Sequence, residues 1–239
     1  MRNNRQNSAL RPVSFELNPL SHAEGSCLVR WGNTHVMCAA SVEERLPPHL
    51  RGKKGGWVSA EYGMLPRSTG SRMEREAKRG QSGRTQEIQR LIGRSLRAIT
   101  DLEALGERTI TIDCDVLQAD GGTRCASITG GFLALYLAVK GLHENRIIKS
   151  LPIKDFVAAV SCGISREGEL LLDLNYDEDC SAATDANFVI AEKLGIIEIQ
   201  GTAEGQPFAK AQFMRLLEMA ELGTSELIGL ARKALLGVK

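Results

Sequence analysis

A chain of 239 residues has room for one large domain or two small ones, and 43% hydrophobic with 25% charged residues excludes disordered, fibrous and collagen-like classes. The formal net charge of +1 argues against a uniformly basic coat, which would bind nucleic acid everywhere. Positive charge is local instead: from Arg67 to Arg94 eight basic residues stand against three glutamates, a pattern that suits a polyanion-binding enzyme and equally a solvated charged face.

In chain order, Val13-Ser14-Phe15-Glu16-Leu17 alternates as a strand, and residues 26–31 and 34–42 read as a hairpin. Its Gly32-Asn33 turn tolerates positive φ at both positions. Pro47-Pro48 and residues 52–56 mark a loop, residues 57–62 a short strand. Residues 66–83 are polar and basic without a sustained apolar period and are expected to form a mobile surface arm. From Thr85 the period becomes helical, with Ile88, Leu91, Ile92, Ser95, Ile99 and Leu102 on one face and a stop expected at Gly106.

Residues 109–116 alternate strictly, with Ile110, Ile112, Cys114 and Val116 on one face. After Gly121-Gly122 a helix is expected over residues 123–143, where Gly130 and Gly131 would allow close packing on a sheet. Strands are expected over 157–165, 169–176, 186–191 and 196–201, then two amphipathic helices, 208–222 and 225–236, broken at Gly223. This order predicts an α+β or α/β layered fold.

The six cysteines, Cys27, Cys38, Cys114, Cys125, Cys162 and Cys180, show neither a CxxC pair nor zinc-ligand spacing, and read as small core residues in a reducing compartment. Met1-Arg2-Asn3-Asn4-Arg5 is not followed by an apolar leader segment, and no uninterrupted apolar run reaches ~18 residues. The expected setting is cytoplasmic, without a membrane partner.

Candidate chemistry lies at two turn-to-helix junctions. A helix N-terminus leaves N–H groups unpaired at the positive end of the macrodipole, and anions bind there. Arg84 follows Gly83 at one junction; Asp120-Gly121-Gly122-Thr123-Arg124 forms the other. An arginine fork matches phosphate oxygens and Thr123 adds a hydroxyl donor, although pairing of these arginines with Glu87 or Asp120 would account for them equally well. Between Asp173 and Asp185 a carboxylate cluster could hold Mg²⁺ or supply a general acid, or form an acidic turn with Asp185 as an N-cap. Neither a Walker A loop nor a GxGxxG helix start, HExxH or GxSxG pattern occurs.

Several longer motifs carry a resemblance. Leu10-Arg11-Pro12-Val13, His22-Ala23-Glu24-Gly25-Ser26, Glu61-Tyr62-Gly63-Met64-Leu65-Pro66-Arg67, residues 83–97, residues 113–124 and residues 173–187 are similar, in that order, to the ribonuclease PH family of phosphate-dependent 3′ exoribonucleases that trim tRNA precursors. The resemblance implies a single catalytic domain over 1–239, with the ribosomal protein S5 domain 2-like βαβα fold of the α+β class. It implies phosphate binding by Arg84, Gly122, Thr123 and Arg124, catalytic or metal-associated roles for Asp179 and Asp185, and RNA binding by Arg67, Arg72 and Arg75. Mg²⁺, inorganic phosphate as co-substrate, release of nucleoside 5′-diphosphates, and a homohexamer built as a trimer of dimers follow from the same resemblance. Departures from the family pattern occur at Asn4-Arg5-Gln6-Asn7-Ser8, at Arg30-Trp31 and at Gly70-Ser71. A non-catalytic RNA-binding ring subunit is the rival reading, and a small-molecule phosphotransferase a further one.

Overall fold

The computed structural model describes Arg2, residues 5–50, Gly52 and residues 54–237; Asn4, part of the N-terminal departure noted above, lies outside them. Two sheets sandwich a central helix. Strands β1 (Val13–Leu17), β2 (Gly25–Trp31), β3 (Thr34–Glu43), β4 (Trp57–Met64) and β5 (Thr109–Gln118) form the first sheet in the order β1-β2-β3-β5-β4. All its pairings are antiparallel except β4 with β5, which is parallel. That parallel pair requires a helical crossover, and α1 (Glu76–Arg79), α2 (Gly83–Ala98) and α3 (Leu102–Leu105) lie within it. The second sheet, β7-β6-β8-β9, is antiparallel throughout, from β6 (Val157–Ile164), β7 (Leu170–Leu172), β8 (Thr184–Ala191) and β9 (Gly195–Ala203).

Helix α4 (Thr123–Glu144) packs on β2, β3 and β5 on one side and β6 on the other. Burial on both sides explains why it is apolar almost all round. It is the one helix among the described residues with the length and hydropathy of a membrane span, and 83% of that window is buried inside the protein. At Gly130 a side-chain carbon would sit 2.3 Å from Val29 Cγ2 and 2.9 Å from Cys38 Sγ, so only glycine lets helix and sheet approach this closely. One contiguous hydrophobic cluster runs from Val29 and Ile112 through Phe132 of α4 to Val160 and Phe188.

The alternation in β5 places Ile110, Ile112, Cys114 and Val116 in the core, and the β2–β3 turn has Gly32 at φ 55. Three boundaries differ from the sequence expectation by more than two residues. Helix α2 stops at Ala98 rather than at Gly106, because Thr100 pairs with Ile153 and Asp101 caps the separate turn α3, accepting from Glu103 N and Ala104 N; Gly106 closes α3 at φ 74. Strand β7 ends at Leu172 instead of Tyr176: Asp173 turns to φ 57, and a capping box of Asn175 with Glu178 starts α5 (Tyr176–Ser181). The last two expected helices are one, α6 (Lys210–Leu236). Gly223 faces Leu172, where an added carbon would lie 2.9 Å from Cδ1, so this glycine serves packing and does not break the helix. Among the cysteines, Cys180 is exposed and the others are buried, all of them free.

Candidate active site

The parallel strands β4 and β5 end side by side, and the chain leaving each runs into a helix whose N-terminus faces the same space. Ligands of α/β units collect at such carboxyl ends. Here the space is a cleft of about 600 Å³ whose lining includes Tyr62, Arg84, Gly122, Thr123, Tyr176 and Asp179.

The first junction begins at Ser82, whose hydroxyl caps α2 by accepting from Thr85 N at 3.1 Å. Glu76 locks the entry, accepting from Thr85 Oγ1 at 2.7 Å and Ser82 N at 3.2 Å. Burial pushes the Glu76 carboxyl up, but these hydrogen bonds outweigh it and hold the group below the usual carboxylate range. Arg84 is exposed toward the cleft, and among the described residues its guanidinium has no ion-pair or hydrogen-bond partner.

At the second junction Gly121 and Gly122 adopt φ 74 and 67. A side-chain carbon at Gly121 would also fall 2.6 Å from Leu174 O, so both space and backbone demand glycine. Helix α4 starts at Thr123 with no side-chain cap, leaving first-turn N–H groups open. Thr123 Oγ1 shares a 2.9 Å hydrogen bond with the Tyr62 hydroxyl. Burial pushes the Tyr62 phenol up, against the downward pull of the Thr123 hydrogen bond and of the Arg84 and Arg124 charges, so Tyr62 stays neutral and able to donate.

Asp179 comes from α5 and faces the cleft across from these junctions. Its pKa is raised, first by burial and then by the charge of Asp185, while Arg124 and Arg84 pull it down. Asp179 is exposed at the cleft surface. Asp185 lies near the start of β8, paired with Gly163 and Thr202, half-buried and outside the cleft lining. It is neither an N-cap nor part of an acidic turn.

Of the remaining sequence candidates, Arg124 points along the flank of the cleft: Nη1 donates to Gln200 Oε1 at 2.8 Å and lies 3.7 Å from Glu87 Oε1. Residues 66–83 form a wall of the cleft through Thr69, Gly70, Ser71, Met73 and Glu76, and are tied to the β5 end by Ala119 N donating to Ser68 O at 2.8 Å. Arg67, Arg72 and Arg75 project from that wall into solvent, with Arg67 Nη1 donating to Gly70 O at 3.0 Å. Asp173, grouped with the other carboxylates in the sequence, is 1% exposed and faces away from the cleft toward Arg5, Arg11 and Trp31. Sequence reasoning missed Tyr62 and Tyr176 as cleft residues. The position of Tyr62 near the end of an apolar strand was the available signal for the first.

Comparison with known proteins matches this architecture. The sequence model of the 3′ exoribonuclease family, domain 1, matches residues 9–140 and that of domain 2 matches residues 155–222. A crystal structure of Rrp46 from rice (Oryza sativa) superimposes with a TM-score of 0.80 at 20% identity, covering 98% of this chain and 100% of that one. The Archaeoglobus fulgidus exosome with RNA bound to the active site gives 0.77 at 20% identity, covering 100% and 92%. An archaeal exosome core gives 0.74 at 20% identity over 95% and 89%. At that identity the structures speak for the fold, an α+β mixed-sheet architecture of ribonuclease PH type, and the two family matches speak for descent: the chain belongs to the 3′ exoribonuclease family of ribonuclease PH type.

Proposed function

We propose that the protein is a phosphorolytic 3′-to-5′ exoribonuclease that trims tRNA precursors with inorganic phosphate, releasing nucleoside 5′-diphosphates. The observation that carries this reading is the convergence of an unpartnered Arg84, the open N-terminus of α4 at Gly122 and Thr123, and Asp179 on one cleft. Arg84, the turn amides and the Thr123 hydroxyl hold phosphate. One of its oxygens attacks the terminal internucleotide phosphorus in line: the new O–P bond forms, the P–O3′ bond breaks, and the departing 3′-oxygen takes a proton from Asp179. Both reactants are anions, so fixed positive charge and positioning supply much of the rate. The reaction is reversible, and nucleoside diphosphates should drive RNA extension.

No group of three or more acidic, histidine or cysteine ligands occurs among the described residues. The alternative role for this pair is metal binding in place of acid catalysis: as ionised carboxylates, Asp179 and Asp185, near enough for one charge to raise the other's pKa, fit Mg²⁺, which takes one or two carboxylates and completes its shell with water and phosphate, and a metal-bound Asp179 would not be the proton donor. When bound, the ion would neutralise charge developing on the phosphates. Arg67, Arg72 and Arg75 would hold the RNA backbone beyond the wall of the cleft. A homohexamer built as a trimer of dimers, and a cytoplasmic setting that keeps the cysteines reduced, complete the reading.

One observation favours a second reading, a non-catalytic RNA-binding ring subunit: Arg124 is held by Gln200 and Glu87. Incubating the protein with a 3′-extended tRNA, with and without phosphate, decides between them. Nucleoside diphosphates released only with phosphate are expected; binding without release would overturn the enzyme.

A further inference from the structure

We propose that Arg11 and Thr34 are positioning residues for the glycine turn, holding its carbonyls on the side away from the cleft so that its amide N–H groups are aimed into it. The inference rests on the phosphate-binding reading above and deepens it. A trans peptide is planar, with its C=O and N–H pointing in opposite directions. Whatever fixes the carbonyls of Asp120 and Gly121 therefore fixes the N–H groups of Gly121 and Gly122.

Both carbonyls are held from behind. Arg11 Nη1 donates to Asp120 O, and Gly121 O accepts from Thr34 Oγ1 at 2.7 Å and from Arg11 Nη2 at 3.5 Å. Thr34 Oγ1 also accepts from Asp120 N at 2.9 Å, so one buried hydroxyl closes both ends of the turn. On the opposite side, the N–H groups of Gly121, Gly122 and Thr123 have no acceptor among the described residues. Successive open amides of this kind form an anion-binding concavity.

Arg11 is itself immobilised. Its Nε and Nη2 lie 3.0 and 2.7 Å from the two oxygens of Asp173, and its backbone N donates to the same carboxylate at 2.7 Å. Trp31 Nε1 at 2.9 Å and Arg5 Nη1 at 3.1 Å complete the shell of Asp173. Asp173 sits at φ 57, in the left-handed region that aspartate visits more readily than most residues, and these hydrogen bonds fix it there. Because the Arg11 charge is paired with the Asp173 carboxylate, its effect on the turn is geometric, through the carbonyls it holds.

The test compares Thr34→Val, which removes the hydroxyl at nearly constant volume, with Thr34→Ser, which keeps it, and with Arg11→Lys, which keeps the charge and loses the fork. Each is assayed for phosphate KM, kcat and RNA affinity, and for binding of inorganic phosphate by calorimetry. Loss of hydrogen bonds of this kind should raise phosphate KM and weaken phosphate binding about tenfold in Thr34→Val, with kcat at saturating phosphate and RNA affinity within about twofold. Thr34→Ser should recover wild-type phosphate binding, and Arg11→Lys should follow Thr34→Val; if Thr34→Val does not fold, Arg11→Lys carries the comparison. Unchanged phosphate KM in the folded variants, or a parallel loss of RNA affinity, overturns the positioning role. Wild-type protein that neither binds nor uses phosphate overturns the site reading and this inference together, whereas phosphate use that is sensitive to Arg84→Ala but not to these variants overturns this inference alone.

Discussion

Arg84 and Arg124 occupy equivalent places in the sequence, each at the start of a long helix, yet the structure gives them different surroundings. Arg84 has no partner among the described residues and faces the cleft, while Arg124 is engaged by Gln200 and Glu87. Arg84→Ala should therefore raise phosphate KM about 10- to 100-fold, as expected for removing a hydrogen bond to a charged group, with RNA affinity little altered; steady-state titration with phosphate checks this. Asp179 carries a second expectation. As the acid it must be protonated, so the rate should fall as pH rises through its elevated pKa, and Asp179→Asn should lose roughly 10²- to 10⁴-fold in kcat together with that limb of the profile. A raised folded-state pKa also means that the native state binds more protons than the unfolded one between the two values, so stability falls as pH rises across that window. Asp179→Asn should accordingly melt slightly higher than wild type at neutral pH and lose the advantage in acid, as thermal denaturation at several pH values would show. At this scale the family resemblance singled out Asp179 and Asp185, of which Asp179 lines the cleft; residue type and spacing alone could not separate Asp173 from Asp179. Six residues apart and chemically alike, one closes a buried arginine network and the other opens on the cleft, because the chain reverses at Asp173 before α5 begins.

Among the elements, those with an unambiguous period were legible: the β2–β3 hairpin, the alternating strand β5, the start of α2, and α4 with its glycine pair. Boundaries set by tertiary contacts were not. The pairing of Thr100 with Ile153 interrupts a sequence that otherwise keeps helical spacing into Leu102, and the fit of Gly223 against Leu172 turns a helix breaker into a contact point. Gly130 offers the sharpest test of such fits. Alanine there would gain about 1 kcal/mol of helix propensity, but its methyl would overlap Val29, a β-branched residue with little rotameric freedom in a strand. Overpacking of this kind costs typically 1–3 kcal/mol, so Gly130→Ala should be net destabilising by denaturant titration. Trimming the neighbour in a Gly130→Ala, Val29→Ala double variant should recover part of the loss, whereas a stabilised single variant would show that α4 can move off the sheet.

The whole molecule is nearly neutral, with a formal net charge of +1, so the basic stretch from Arg67 to Arg94 is offset by acidic surface elsewhere. The fold places that stretch on one side of the cleft: residues 66–83 line its wall and α2 opens into it, while the acidic helix α5 faces them. On the proposed function, a polyanion would be drawn to the basic side of the cleft while the rest of the chain, slightly acidic in sum, offers it no general attraction, which is steering by charge distribution and not by total charge. The contribution of Arg72 and Arg75 should then be read in salt dependence. For a single strand each neutralised phosphate contributes about 0.7 to the slope of log affinity against log salt, so Arg72→Ala and Arg75→Ala should each weaken binding at low salt and flatten that slope by up to about 0.7. Fluorescence anisotropy with a labelled 3′-extended RNA between low and physiological salt measures both quantities. Arg84→Ala, inside the cleft, should leave the slope almost as it was, since its proposed partner is free phosphate and not the RNA backbone. Equal slopes for wild type, Arg72→Ala and Arg75→Ala would remove the arm from the RNA path and leave its exposed arginines as ordinary solvated charge.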